Sequence, residues 1–372
     1  MSDLSRRRLI AATLATLTAP AAAQARAPRP APDPQTEALD QAMTHDQAPP
    51  AVAAAVVTSA GQTWAAVRGV RRHGRTDAAT SEDRWHLGSN TKAMTAAVWA
   101  RFVEQGRARW GMSLAEAFPQ APVHQAFSAL TVEDLLRHKA GLSDRTDFPL
   151  PMVARADTRP VVEQRAALAQ ALTRPPAGQV GTFAYGNVNY VLAGSVIERI
   201  AGRPWEEVAA AEIFDPLGIG SAGFGAPRNN ASGGANAWGH HVQGQAATPI
   251  DPQLPYSDNA PLMGPAGTAH MTLADYGRFI QAMLGGGPVG WLSADSLSRL
   301  ITPVDDDAYA LGWSRGPNGA VAHEGSNTLW HAVVIAQPDR GRASVVLSNG
   351  GMAGRTATVP LAQRLLLGAA DA

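Results

Sequence analysis

The hydrophobic positions of this chain change period along its length. Runs at 51–59 and 62–70 are rich in Ala and Val and are parted by Ala60-Gly61, which predicts a β-hairpin after a first helix over 35–45. A polar loop then runs to about Trp85. From 89 to about 105 the period lengthens: Met94, Val98 and Phe102 recur four apart, the stripe of a helix closed by Gly106. Thr131 caps a short helix through His138. The turn Pro175-Pro176-Ala177-Gly178 leads into Phe183-Ala184-Tyr185-Gly186-Asn187 and a helix over about 188–200, closed by Gly202. Thr272 caps a further helix through 284. Strand-like runs then return at 308–313, 328–337 and 342–349, the last two joined by Pro338-Asp339-Arg340-Gly341. A final helix is expected over 358–367, and the Gly-, Asn- and Ala-rich stretch 231–250 reads as a long loop. No internal repeat is evident. Strands at both ends with helices between them predict an α+β fold, with one antiparallel sheet built from both chain ends, flanking helices and a helical insertion. A cleft between the sheet and the insertion is the natural place for a site.

Composition narrows the classes. The chain has 372 residues, room for one large domain or two intimately joined ones. Its formal net charge is +0, which argues against a nucleic-acid binder with a basic stripe. It has no Cys, so disulfides, thiolate nucleophiles and Cys-ligated metals are excluded. Ser5-Arg6-Arg7-Arg8-Leu9-Ile10 precedes an apolar run through about Ala23, the twin-arginine layout. It predicts a signal peptide over 1–25, a Pro- and Ala-rich linker over 26–35, and a mature domain over 36–369 exported folded to the periplasm or beyond. The apolar run is too short and Ala-rich to serve as an anchor.

Candidate chemistry begins at Ser89-Asn90-Thr91-Lys92. Only two lysines occur in the chain, so a Ser-x-x-Lys arising by chance is expected roughly 0.1 times. Residues three apart share a helix face, so Lys92 can reach the Ser89 hydroxyl. Serine needs an adjacent base to be nucleophilic, and the helix N-terminus offers backbone N–H groups to a developing oxyanion. In Tyr185-Gly186-Asn187, the Tyr can relay a proton and the Asn amide can both accept and donate to a substrate. In His323-Glu324-Gly325-Ser326, Gly325 allows close approach of a substrate to the backbone. The Ser326 N–H can complete an oxyanion hole with the Ser89 N–H. His323-Glu324 is no zinc motif, because position 327 is Asn.

Taken together and in this order, the three motifs resemble those of the serine β-lactamase and penicillin-binding superfamily. Tyr in the second motif is similar to the class C β-lactamase, DD-carboxypeptidase and family VIII esterase branch. Leu135-Leu136-Arg137-His138-Lys139-Ala140-Gly141-Leu142, the run from Pro176 to Tyr190 and Asp215-Pro216-Leu217-Gly218 carry the same resemblance, which spans about 36–369. It implies an α/β domain plus an all-helical domain with the site between them. It also implies that Ser89 is acylated, Lys92 assists its deprotonation and Tyr185 moves the proton to the leaving group. Asn187 would hold a substrate amide, His323 and Gly325 would line the opposite wall, and Ser326 would be the second oxyanion donor. Lys-Thr-Gly of the class C enzymes is replaced by His323-Glu324-Gly325. His is mostly neutral above about pH 6.5, so binding an anionic substrate would require a charged His323, and Glu324 would repel such a substrate. The expected function is an exported serine hydrolase cleaving a small ester, a D-amino-acid peptide or a β-lactam, with no metal or cofactor, no nucleic acid and no membrane anchor after processing. The alternative is a non-catalytic or slowly acylated penicillin-binding or sensor relative.

Overall fold

A computed structural model describes residues 33–149, 151–244, 246–304 and 307–368; the predicted signal peptide and most of the linker lie outside them. The strands are β1 (Ala51–Thr58), β2 (Gly61–Gly69), β3 (Arg84–His86), β4 (Gly223–Phe224), β5 (Gly239–Gln243), β6 (Ala246–Ile250), β7 (Ala269–Thr272), β8 (Ser314–Arg315), β9 (Val321–Ser326), β10 (His331–Gln337) and β11 (Arg342–Ser348). Six form an antiparallel sheet in the order β2-β1-β11-β10-β9-β8, so both chain ends supply it. The register sets Val52 opposite Ser348 and Thr58 opposite Arg342.

The Ala- and Val-rich run of β1 is buried on both faces, which is why it lacks a polar alternation. Its odd positions, Ala51, Ala53, Ala55 and Val57, join the main core. Its even positions, Val52, Ala54 and Val56, pack with Leu39, Leu361 and Leu365 of the terminal helices Pro34–Ala42 and Arg355–Leu367. On the other side of the sheet the helix Thr91–Glu104 is buried almost throughout, including all three residues of its predicted stripe. The helix Asn187–Ala201 packs beside it and ends at Gly202, whose φ of 71° is the left-handed conformation that glycine supplies at low cost.

Three expectations differ from the fold. The run 308–313 is not a strand: only Tyr309 makes a bridge, to Ser314, around Gly312 at φ 87°. Its alternating Tyr309, Leu311 and Trp313 are buried, but not along a sheet. The strand β9 was instead hidden in Val321–Ser326, whose His, Glu, Gly and Ser are poor strand formers held by pairing with β10. The stretch 231–250 contains the β5–β6 hairpin, built from Gly, His, Gln, Thr and Pro. In addition, the helix from Thr131 stops at Leu136, because His138 takes φ 59°.

Candidate active site

The small sheet β3-β7-β4 delivers the chain to the turn that carries Ser89. Gly88–Asn90 form one tight turn, and the helix Thr91–Glu104 starts directly after it. Ser89 therefore sits half-buried at the positive end of a fourteen-residue helix. One turn on, Lys92 is fully buried. Its Nζ donates to Ser89 Oγ at 3.0 Å, Asn187 Oδ1 at 2.8 Å and the Ala266 carbonyl at 2.7 Å. An ammonium has three donors, and here each finds an oxygen. The Tyr185 ring lies 4.9 Å from the same Nζ and is 47% exposed. Ser89, Lys92, Tyr185 and Asn187, up to 98 positions apart in sequence, are thus brought together.

Asn187 is held from the far side by Asp144. Asp144 Oδ2 accepts from both the backbone and side-chain N–H of Asn187 at 2.9 Å, and Oδ1 accepts from Val188 N at 2.9 Å. The carboxylate caps the helix Asn187–Ala201 and leaves the Asn187 amide oxygen facing Lys92.

The opposite wall is β9. Gly325 lies against the Ser89 turn so closely that a Cβ there would stand 2.5 Å from Ser89 N and would overlap the Leu87 carbonyl. Gly88, at φ 51°, meets Gly325 and Ser326 in the same way. The backbones of Ser89 and Ser326 are therefore neighbours. The Ser326 hydroxyl is committed elsewhere, donating to Trp330 O at 2.6 Å and accepting from Thr328 N at 2.9 Å.

His323 is buried, with both ring nitrogens engaged inside the protein. Nδ1 lies 2.8 Å from the Glu324 carbonyl, which only accepts, so Nδ1 carries the proton. Nε2 then accepts from the Tyr309 hydroxyl at 2.8 Å. Burial, with the positive Lys92 adding to it, pushes the His323 pKa down to about 3. The imidazole is neutral at physiological pH and has no free N–H to offer. Glu324 is on the other face of β9, turned away from His323 by the strand's alternation. It pairs with Arg355 at 2.6 Å and with His331 at 3.3 Å. Burial alone would raise its pKa, but these partners win and bring it to about 2.

Four contributors had no individual signal in the sequence. Asp144 follows the Gly141-Leu142 segment but carries no motif. The Ala266 carbonyl is a backbone group. Tyr309 was assigned to a strand. His138 belongs to a segment noted above without a role: it accepts from Gly186 N at 3.3 Å and its ring lies 4.5 Å from that of Tyr185. Among the described residues no group of three His, Cys, Asp or Glu side chains is arranged to hold a metal ion, and no helix is long and apolar enough to cross a membrane.

The Beta-lactamase family model matches residues 36–368. An unguisins hydrolase of Aspergillus campestris is 27% identical over 316 residues, covering 76% of this chain and 53% of its own. Penicillin-binding protein 4 of Amycolatopsis lactamdurans is 27% identical over 338 residues, 85% of each chain. The chain spans about half the length of the unguisins hydrolase and of a putative penicillin-binding protein, PbpX, of Bacillus subtilis, 53% and 55% respectively. Among solved structures, a beta-lactamase from Sulfitobacter sp. EE-36 superposes with a TM-score of 0.68 at 19% identity, covering 88% of this chain and 96% of that one. A D-stereospecific amidohydrolase from Streptomyces sp. does so with a TM-score of 0.66 at 22% identity, covering 88% and 97%. At these identities the structures share the fold. The match across nearly all of the described chain makes this protein a member of the Beta-lactamase family, with the mixed antiparallel architecture of its β-lactamase and penicillin-binding relatives.

Proposed function

We propose that this protein is a serine hydrolase that forms an acyl-enzyme on Ser89 and cleaves an ester or amide. The observation that carries the reading is the Lys92 ammonium, buried and bonded at once to Ser89 Oγ, Asn187 Oδ1 and Ala266 O. Such a group is costly to bury and is held where it controls the serine proton. In the proposed cycle Ser89 Oγ attacks the substrate carbonyl as its proton moves to the Tyr185 hydroxyl oxygen, which hands its own proton onward, while the Lys92 ammonium stays protonated and steadies the negative charge developing on the two oxygens. The carbonyl oxygen gathers negative charge against the Ser89 and Ser326 N–H groups. As the carbon–leaving-group bond breaks, the proton passes through Tyr185 to the departing alcohol or amine. Water then attacks the acyl-Ser89 ester, returning the proton to Oγ and releasing the acid. Asn187 and Gly325 form the walls.

Candidate substrates are small carboxylic esters, D-amino-acid peptides and β-lactams. The neutral, fully engaged His323 supports substrates that place an uncharged group on the β9 wall, which favours esters and uncharged amides over carboxylate-bearing β-lactams. The D-stereospecific amidohydrolase relative supports the amide class. Export is part of the proposal and rests on the twin-arginine pattern alone. The test is a time course of intact mass after mixing the protein with p-nitrophenyl butyrate or a penicillin, with Ser89→Ala beside it. An acyl adduct on the wild type and none on the variant is expected. Undiminished turnover by Ser89→Ala would overturn the reading.

A further inference from the structure

We propose that Asp258 and His86 are positioning residues that set the separation of the two oxyanion donors, a role that rests on the reading of Ser89 as nucleophile. His86 is fully buried at the end of β3, three residues before Ser89. Its Nδ1 accepts from Gly88 N at 3.0 Å, so in the neutral ring the proton is on Nε2. Nε2 lies 2.8 Å from Asp258 Oδ1, a short contact set off the N–H axis rather than a well-aligned hydrogen bond. The same Oδ1 accepts from Asn327 Nδ2 at 2.9 Å. Asn327 follows Ser326 directly, and its amide oxygen accepts from Leu329 N and Trp330 N at 3.2 Å, folding the turn between β9 and β10.

One carboxylate oxygen is therefore tied on one side to the turn that presents the Ser89 N–H, and on the other to the turn that presents the Ser326 N–H. Asp258 is itself held, by Asn259 N at 2.7 Å and by Arg155, which donates to the carbonyls of Asp258 and Pro255. The two turns already touch, since a Cβ on Gly88 would stand 2.6 Å from the Gly325 carbonyl carbon. Slackening the clamp leaves that contact free to slide. An oxyanion hole works through donors fixed before the reaction, and displacing one by about an ångström costs on the order of 100-fold in rate.

The experiment uses the full chain, p-nitrophenyl butyrate as the ester and phenylboronic acid as the tetrahedral mimic. His86→Ala and Asp258→Ala are expected to lower the acylation rate at saturating ester about 10- to 100-fold. The half-saturation concentration should move less than about threefold, and boronate affinity should fall by the same factor as the rate. Asp258→Asn keeps an oxygen for both partners and should return within about threefold of wild type. The double variant His86→Ala/Asp258→Ala should be no worse than the poorer single one. Should Asp258→Ala fail to fold, Asn327→Ala and Asp258→Asn carry the comparison, with melting temperatures alongside. Alanine variants that acylate like wild type, or that lose rate with boronate affinity unchanged, overturn the clamp. A wild-type Ser89 that no probe acylates overturns the nucleophile reading and the clamp with it, so the two failures are distinguishable.

Discussion

Gly325 and Leu87 meet backbone to backbone: any Cβ on Gly325 would overlap the Leu87 carbonyl oxygen and stand 2.5 Å from Ser89 N. The contact locks β9 to the Ser89 turn. Gly325→Ala must push the two apart or fail to fold. Overpacking of this kind costs about 1–3 kcal/mol. We expect a clear fall in melting temperature together with at least about a 100-fold loss in ester kcat/KM. A variant with wild-type activity would show that the contact does not set the site.

Lys92 binds three oxygens from three separate segments, so a replacement of different shape cannot substitute. Lys92→Ala and Lys92→Arg are both expected to lose about 100- to 10,000-fold in acylation rate, the usual scale of acid–base assistance. Single-turnover release of p-nitrophenol measures it directly.

Asp144 caps a helix through Val188 N and Asn187 N and also holds the Asn187 side chain, so its replacement acts on stability and activity together. Asp144→Ala should cost about 0.5–2 kcal/mol for the lost cap. It should also lower kcat/KM, because Asn187 loses two of its bonds. Asp144→Asn should recover part of the stability. Urea titration and steady-state kinetics on the same samples test both halves.

The buried histidines make stability depend on pH in one direction. Burial lowers the pKa of His323 to about 3 and those of His240 and His270 to about 4, from an ordinary value of 6.5; it also lowers that of His138. Below pH 6.5 the unfolded chain binds protons at these sites while the folded chain does not. Each site therefore stabilises the fold fully above pH 6.5 and loses that contribution as pH falls toward 3–4, by up to about 1.4 kcal/mol per pH unit. The urea midpoint should be flat above pH 7 and fall between pH 6 and 4. A rise on acidification would contradict the burial. The same neutrality predicts that anionic and neutral substrates share one pH profile between pH 5 and 9. An anionic substrate whose kcat/KM alone declines through that range would show His323 charged.

Arg165 shows how the helical part reaches the site. It is fully buried, pairs with Glu198 at 2.6 Å and with Glu206, and donates to the carbonyls of Leu262 at 3.0 Å and Pro261 at 2.8 Å. Those residues lead into Ala266, whose carbonyl holds Lys92. Arg165→Ala leaves the buried Glu198 carboxylate, and the partly exposed Glu206, without their partner, a loss of about 3–5 kcal/mol. Chemical denaturation should register it even if some activity survives.

The elements with strong periodicity and caps were legible in the sequence: the β1–β2 hairpin, the helices after Ser89 and Asn187, and β10 and β11. So was the convergence of Ser89, Lys92, Tyr185 and Asn187. What stayed hidden depended on tertiary contacts. β9 forms from poor strand residues because β10 and the Ser89 turn enclose it. Tyr309, Leu311 and Trp313 alternate like a strand yet are buried by a turn whose Gly312 presses on Ala93. His323 reads from sequence as a substrate ligand, but the Tyr309 hydroxyl and the Glu324 carbonyl occupy both of its nitrogens. Glu324 looked like a charge in the cleft until the strand's alternation turned it toward Arg355.

The scarcity of lysine gives the sealed ammonium another meaning. Lys139, paired with Asp307 at 2.7 Å, still leaves 23% of its side chain open to solvent, whereas Lys92 has none. An amine-acylating reagent should therefore mark Lys139 in the folded protein and reach Lys92 only when the cleft opens. Because no third lysine competes, the ratio of the two labelled peptides becomes an optical-probe-free gauge of how often the surroundings of Lys92 are exposed, readable without any substrate.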